Sequence, residues 1–104
     1  MTIVSVYATF RDAEEAERVA RIVVEEKLAA CANILGPCRS IYRWQGAVEE
    51  ADEVAAIFKT GEANAPHIAR RIAELHSYEL PAITVTAIGY APRGFADWVH
   101  ANTD

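Results

Sequence analysis

The chain has 104 residues, 52% hydrophobic and 24% charged, with a formal net charge of −5. That length suits one domain with one core, and that composition excludes intrinsic disorder. The acidic balance, with no basic stripe, also excludes a nucleic-acid partner, because phosphate contacts need lysine and arginine.

Thr2 to Thr9 is β-branched and aromatic and reads as the first strand. Asp12 then supplies an N-cap carboxylate, with Glu15 three positions on in the manner of a capping box. Ala13, Ala16, Val19, Ala20, Val23 and Lys27 or Leu28 follow a helical stripe, which predicts a helix over 12–29. Two strand-like segments come next, 32–45 and 48–60, joined through Gly46-Ala47; Gly36-Pro37 predicts a bulge or kink in the first. Asn64 as N-cap and Pro66 in the first turn open a second helix with Ile68, Ile72 and Leu75 on its apolar face. A last strand spans 83–88, and an amphipathic tail helix spans 94–101 with Phe95, Trp98 and Val99.

The order β-α-β-β-α-β plus a tail helix, with right-handed crossovers, gives an α+β fold. It is the ferredoxin-like split-βαβ sandwich, with helices on one face of a four-stranded antiparallel sheet. A strand of ~14 residues spans ~45 Å, whereas a compact domain of this length is roughly 33 Å across. The central hairpin therefore overhangs its own domain unless the kink folds it back. It carries Ile41, Tyr42, Trp44, Val54, Ile57 and Phe58, so the helix-free face is expected to pack on other copies of the chain.

No apolar run approaches the ~18 residues of a membrane span. Met1 leads almost directly into the first strand, without a secretory signal pattern. A cytoplasmic location with no membrane partner is expected. Cys31 and Cys38 are too few for a disulfide scaffold, and their spacing matches no zinc framework. Each reads as a small buried hydrophobe, with a soft copper ligand as the functional reading of Cys31.

His67 and His100 read as surface residues, whereas His76 opens His76-Ser77-Tyr78-Glu79-Leu80-Pro81, a run dense in hydrogen-bonding groups at a helix-to-strand corner. That run reads either as a structural corner or as a binding cleft. Glu53 and Lys59 share one face of the second hairpin strand and should be paired, with each other across subunits or with a ligand. Tyr42 and Trp44 alternate on the preceding strand and offer an aromatic wall. There is no nucleophile elbow, no phosphate loop and no H-E-x-x-H. The enzyme reading therefore reduces to an acid–base pair of His76 with Glu53.

Four segments together resemble the CutA family of divalent-cation-tolerance proteins. They are Glu26 to Asn33, Ser40-Ile41-Tyr42-Arg43-Trp44-Gln45-Gly46, Glu53-Val54 leading to Lys59-Thr60, and His76 to Ile83. The resemblance covers essentially the whole chain. It implies a non-enzymatic homotrimer, similar in architecture to PII-type signalling proteins, with a role in tolerance to copper and other divalent metals. Metal ligation is implied at Cys31 and His76, repeated across subunits. A cleft for a metal ion or small ligand is implied at Tyr42, Trp44, Glu53, Lys59, His76, Tyr78 and Pro81. The first strand, with Tyr7 and Ala8, lacks the thiol that some bacterial members carry there. The other reading is a structural trimer that scaffolds a protein partner.

Overall fold

The computed structural model describes residues 2–104. It contains β1 (Ile3–Phe10), α1 (Ala13–Glu25), β2 (Cys31–Trp44), β3 (Ala47–Gly61), α2 (Ala65–Leu75), β4 (Ile83–Ala87) and α3 (Arg93–Ala101), with a 3-10 turn at Glu62–Asn64 before α2. The strands form one antiparallel sheet in the order β2-β3-β1-β4. This is the split-βαβ arrangement expected from the element order.

Period-two alternation puts Val4, Val6, Ala8 and Phe10 of β1 on the same face as Val54, Ala56 and Phe58 of β3. These residues meet Ala16, Val19, Ala20 and Val23 of α1 and Ile68 and Ile72 of α2 in one buried core. Phe10 and Phe58 pack edge to face with centroids 6.5 Å apart. Arg71 of α2 forks onto Glu26 beyond α1, Nε to Oε1 at 2.9 Å and Nη2 to Oε2 at 2.8 Å. The side chain of Arg18 donates to the carbonyl of Leu75 at 3.0 Å, satisfying an orphan carbonyl at the end of α2.

α1 ends at Glu25, four residues before the predicted end at 29. Lys27 takes a left-handed conformation, φ 64°, and its N–H reaches the carbonyl of Val24 while that of Leu28 reaches Val23. That is a Schellman stop with lysine in the place glycine usually holds. The apolar stripe continued through Leu28 because Leu28 packs on the core from outside the helix. Asn64 differs from expectation as well. Its backbone is already helical and its side chain makes no cap bond; instead Nδ2 donates to the Asp104 carbonyl at 2.8 Å and to Thr60 Oγ1 at 3.3 Å, holding the C-terminus.

The hairpin is regular except at the predicted kink. Ile34 pairs with Ala56 and Gly36 with Ala55, so Leu35 is the extra residue of a bulge. Gly36 has φ 96°, a conformation side chains disfavour. The turn is Gln45-Gly46 with φ 50° and 86°, the positive pair of a type I′ hairpin. Molecular extents of 45 × 26 × 22 Å show that the hairpin does overhang the domain. Its outer half exposes Ile41, Tyr42, Trp44 and Val48.

Candidate functional site

Register builds the site from the helix-free face of the sheet. On β2, Cys38, Ser40, Tyr42 and Trp44 point to one side, paired in turn with Glu53, Ala51, Glu49 and Ala47 of β3. Tyr7 and Thr9 of β1 lie on the same side, two strands across. The segment between α2 and β4 closes the end of this face with Tyr78, Glu79, Leu80 and Ala82. Together these surfaces enclose an open cleft of about 630 Å³, within the size range of small-molecule sites.

Glu53 lies against this cleft. It is only 8% exposed, and both its carboxylate oxygens accept from hydroxyls. Ser40 Oγ donates to Oε1 at 2.5 Å and the Tyr78 hydroxyl donates to Oε2 at 2.8 Å. Burial, and then the carboxylate it serves, push the Tyr78 phenol far above the ordinary tyrosine range. Tyr78 is therefore a fixed donor at neutral pH and not a base.

His76 stands behind Tyr78. Nε2 lies 2.7 Å from the carbonyl of Thr9. A carbonyl can only accept, so Nε2 carries the hydrogen and Nδ1 presents the lone pair. That lone pair receives the N–H of Tyr78 at 3.1 Å. The ring is stacked on Phe10, with centroids 4.8 Å apart, and tilted against Tyr78 at 4.7 Å. The corner is held from a third side by Glu15, which is 2% exposed. Its Oε1 accepts from the N–H of Arg11 at 3.0 Å and its Oε2 from the N–H of Ser77 at 2.8 Å. Burial alone would raise the Glu15 carboxyl. Hydrogen bonds from Ser77 and Arg11, with His76 nearby, outweigh it and hold the group below the usual carboxylate range. Glu15 thus does more than complete a cap: the helix start and the corner share one buried carboxylate.

The structure brings together Tyr42, Trp44, Glu53 and Tyr78 of the expected cleft, with His76 as its support. Lys59 is elsewhere in the chain. It lies six residues along β3 from Glu53, roughly 20 Å away, and its ammonium donates to Asn33 Oδ1 at 2.6 Å. Residues six apart on an extended strand share a face without touching, so Glu53 and Lys59 of one protomer do not pair, and the expected pairing across subunits or with a ligand is a matter of assembly. Pro81 does not line the cleft; its neighbours Leu80 and Ala82 do. Alternation along the β2–β3 hairpin could have identified Ser40 and Glu49, which share the face of Tyr42. Tyr7 and Thr9 depend on the order of strands in the sheet.

The acid–base reading of His76 with Glu53 does not fit, since both ring nitrogens are engaged by backbone and neither faces the carboxylate. The same two bonds leave His76 no free lone pair for a metal. Cys31 pairs across the ladder with Lys59, and Cys38 with Glu53. The two thiols thus lie about 20 Å apart along the hairpin, too far for a disulfide. Among the described residues no three His, Cys, Asp or Glu side chains are grouped as metal ligands. A copper site within a single protomer is not supported by these donors.

Known proteins agree with this architecture. The CutA protein of Thermus thermophilus, named for divalent-cation tolerance, is 40% identical over 98 residues, covering 94% of this chain and 95% of the relative. The CutA protein of Pyrococcus horikoshii is 40% identical over 101 residues, covering 97% and 98%. A solved structure of the divalent cation tolerance protein from Thermus thermophilus superposes with a TM-score of 0.95 at 38% identity, over 98% of this chain and 99% of that one. The model of the CutA1 divalent ion tolerance family matches residues 4–102, and the chain belongs to that family.

Proposed function

We propose that this divalent-cation-tolerance protein acts as a homotrimer that binds a small ligand in the cleft beside Glu53 and does not turn it over. The observation that carries this reading is the buried carboxylate itself. Glu53 is held by two hydroxyls at the base of an open cleft; no free imidazole lies beside it, and although the Ser40 hydroxyl bonds the carboxylate, no basic side chain of the same copy lines the cleft to stabilise a developing anion. Such an arrangement can receive a polar group and lacks the parts for acyl or phosphoryl transfer.

Exposed Ile41 and Val48 at 69% and 63%, on an overhanging hairpin, support assembly from copies of the chain. In a trimer the cleft would lie near a neighbour, and Lys59 or Cys31 of another copy could approach it. Copper binding through Cys31 belongs to this reading only as a site shared between copies, because one chain offers a thiol opposite an ammonium. Tyr90, 85% exposed, supports the second reading, a scaffold for a protein partner. Light scattering with a small-molecule thermal-shift panel tests the proposal. The expected result is a mass three times 11.4 kDa and a ligand whose stabilisation Glu53→Gln removes. A monomer, or stabilisation unaffected by Glu53→Gln, would overturn it.

A further inference from the structure

Residues 76–82 run between α2 and β4 with no helix or strand among them, yet they carry the phenol that meets Glu53. What fixes this corner is a set of bonds to side chains. The N–H of Ser77 donates to Glu15 Oε2 at 2.8 Å, and that of Tyr78 to His76 Nδ1 at 3.1 Å. The His76 ring is in turn tied to the Thr9 carbonyl. Both anchors lead to one place, the junction where β1 passes into α1. Glu15 and His76 are 2% and 9% exposed within a single chain, so a neighbouring copy packed on the sheet has almost nothing of them left to cover.

A helix cap alone does not account for Glu15. Asp12 already caps α1, its Oδ1 accepting the N–H of Glu15 at 2.9 Å. A capping box would return the Glu15 carboxylate to the N–H of the cap residue itself. Here Oε1 takes the N–H of Arg11, one residue earlier, at 3.0 Å, and Oε2 reaches Ser77, 62 positions away. Desolvating a carboxylate is costly unless hydrogen bonds offset it, and one of its two backbone donors belongs to the corner. Only a carboxylate of this length fits. Glutamine would turn a donor toward one N–H, and aspartate is one methylene too short to reach both.

We infer that Glu15 is a positioning residue of the cleft: through Ser77 it sets the path of the corner so that the Tyr78 hydroxyl reaches Glu53. The start of α1 is thereby coupled to the carboxylate of the cleft, although Glu15 does not line the cleft. The bearing of Glu15 on binding rests on the cleft proposed above, whereas its hold on Tyr78 is read with no ligand present, so the two fail separately.

The experiment follows tyrosinate absorbance of the full chain near pH 10, over pH values at which circular dichroism shows the fold intact. In the unsubstituted protein burial and Glu53 hold the Tyr78 phenol above its ordinary value of 10.0, so Tyr78 is silent there. Glu15→Gln is expected to raise the amplitude by one tyrosine of the chain's four, and adding Tyr78→Phe is expected to remove the gain. Glu15→Asp should act in the same way and serves if Glu15→Gln does not fold. Asp12→Ala weakens the same helix start without touching the corner. It should lower the melting temperature and leave the amplitude unchanged, which separates positioning from general stability. Unchanged amplitude in the folded Glu15 variants overturns the inference. So does a gain that Tyr78→Phe does not remove or that Asp12→Ala reproduces. A loss of amplitude on Tyr78→Phe alone would show a phenol already free of Glu53, and overturns it as well.

Discussion

Tyr78 and Glu53 are 25 positions apart in sequence and joined by a 2.8 Å hydrogen bond that ties the corner before β4 to the middle of the hairpin. The phenol donates and the carboxylate accepts, and each explains the other's tolerance of burial. Removing the hydroxyl with Tyr78→Phe leaves Glu53 with Ser40 alone. Urea unfolding at pH 7 should then show a loss of about 1–3 kcal/mol, the usual penalty for stranding a buried acceptor. A loss below the error of the measurement would mean that the bond contributes nothing to holding the corner.

The same pair makes an alkaline prediction. Burial and Glu53 raise the Tyr78 phenol above its ordinary value of 10.0. In the unfolded chain it loses its proton first, so its contribution to stability is full below pH 10 and declines as pH rises beyond that point. In the folded protein, Tyr78→Phe should leave the amplitude of the absorbance rise near pH 10 unchanged. A loss of one tyrosine's amplitude there would show a phenol open to solvent.

Glu15 makes the acid-side prediction, with the opposite sign. Its folded carboxyl is held below the ordinary value of 4.5 by Ser77 and Arg11 despite burial. Its contribution is therefore present above that value and lost as pH falls through the folded one. Glu15→Gln replaces one acceptor oxygen with a donor facing a backbone N–H, at about 1–3 kcal/mol. Chemical denaturation at pH 7 and pH 3 should show the gap between the two proteins narrowing in acid; a constant gap would separate the effect from ionisation.

Lys27 offers a stabilising change. It occupies the left-handed position that ends α1, where an L side chain is strained by roughly 1–2 kcal/mol. Lys27→Gly relieves that strain but gives back part of it in unfolded-state entropy, so a net gain of about 0.5–1 kcal/mol is expected. Thermal melting decides the sign, and a lower midpoint would mean that Lys27 makes a contribution larger than its strain.

Metal should be dispensable for folding. The buried groups at the corner and cleft are satisfied by protein donors and acceptors, and no buried side-chain polar atom among the described residues lacks a partner. Chelation with EDTA should leave the melting temperature unchanged. Copper(I) titration of the protein against Cys31→Ser then tests the proposed shared-thiol site, where the variant should lower stoichiometry or affinity; identical isotherms would remove Cys31 from consideration.

Local pattern carried most of the fold. Alternation in β1 and the helical stripe of α1 are short-range consequences of which residues avoid water, and they were legible without coordinates. So was the overhang, because strand length and domain diameter are set by backbone geometry alone. Gly36 marked its own bulge, since few residues besides glycine accept that backbone angle. The end of α1 was not legible, because Leu28 continues the apolar stripe from outside the helix and Lys27 stands where glycine would have been the signal. The four segments also marked Tyr42, Trp44, Glu53 and Tyr78 as residues of one cleft. Whether Lys59 joined them was beyond period-two reasoning, which assigns a face but no distance along it. Only the tertiary structure put Tyr78 on Glu53, Glu15 on Ser77, and both nitrogens of His76 on backbone groups. Those bonds join segments far apart in the chain, and their existence depends on strand order and on one corner's path, quantities no local pattern contains.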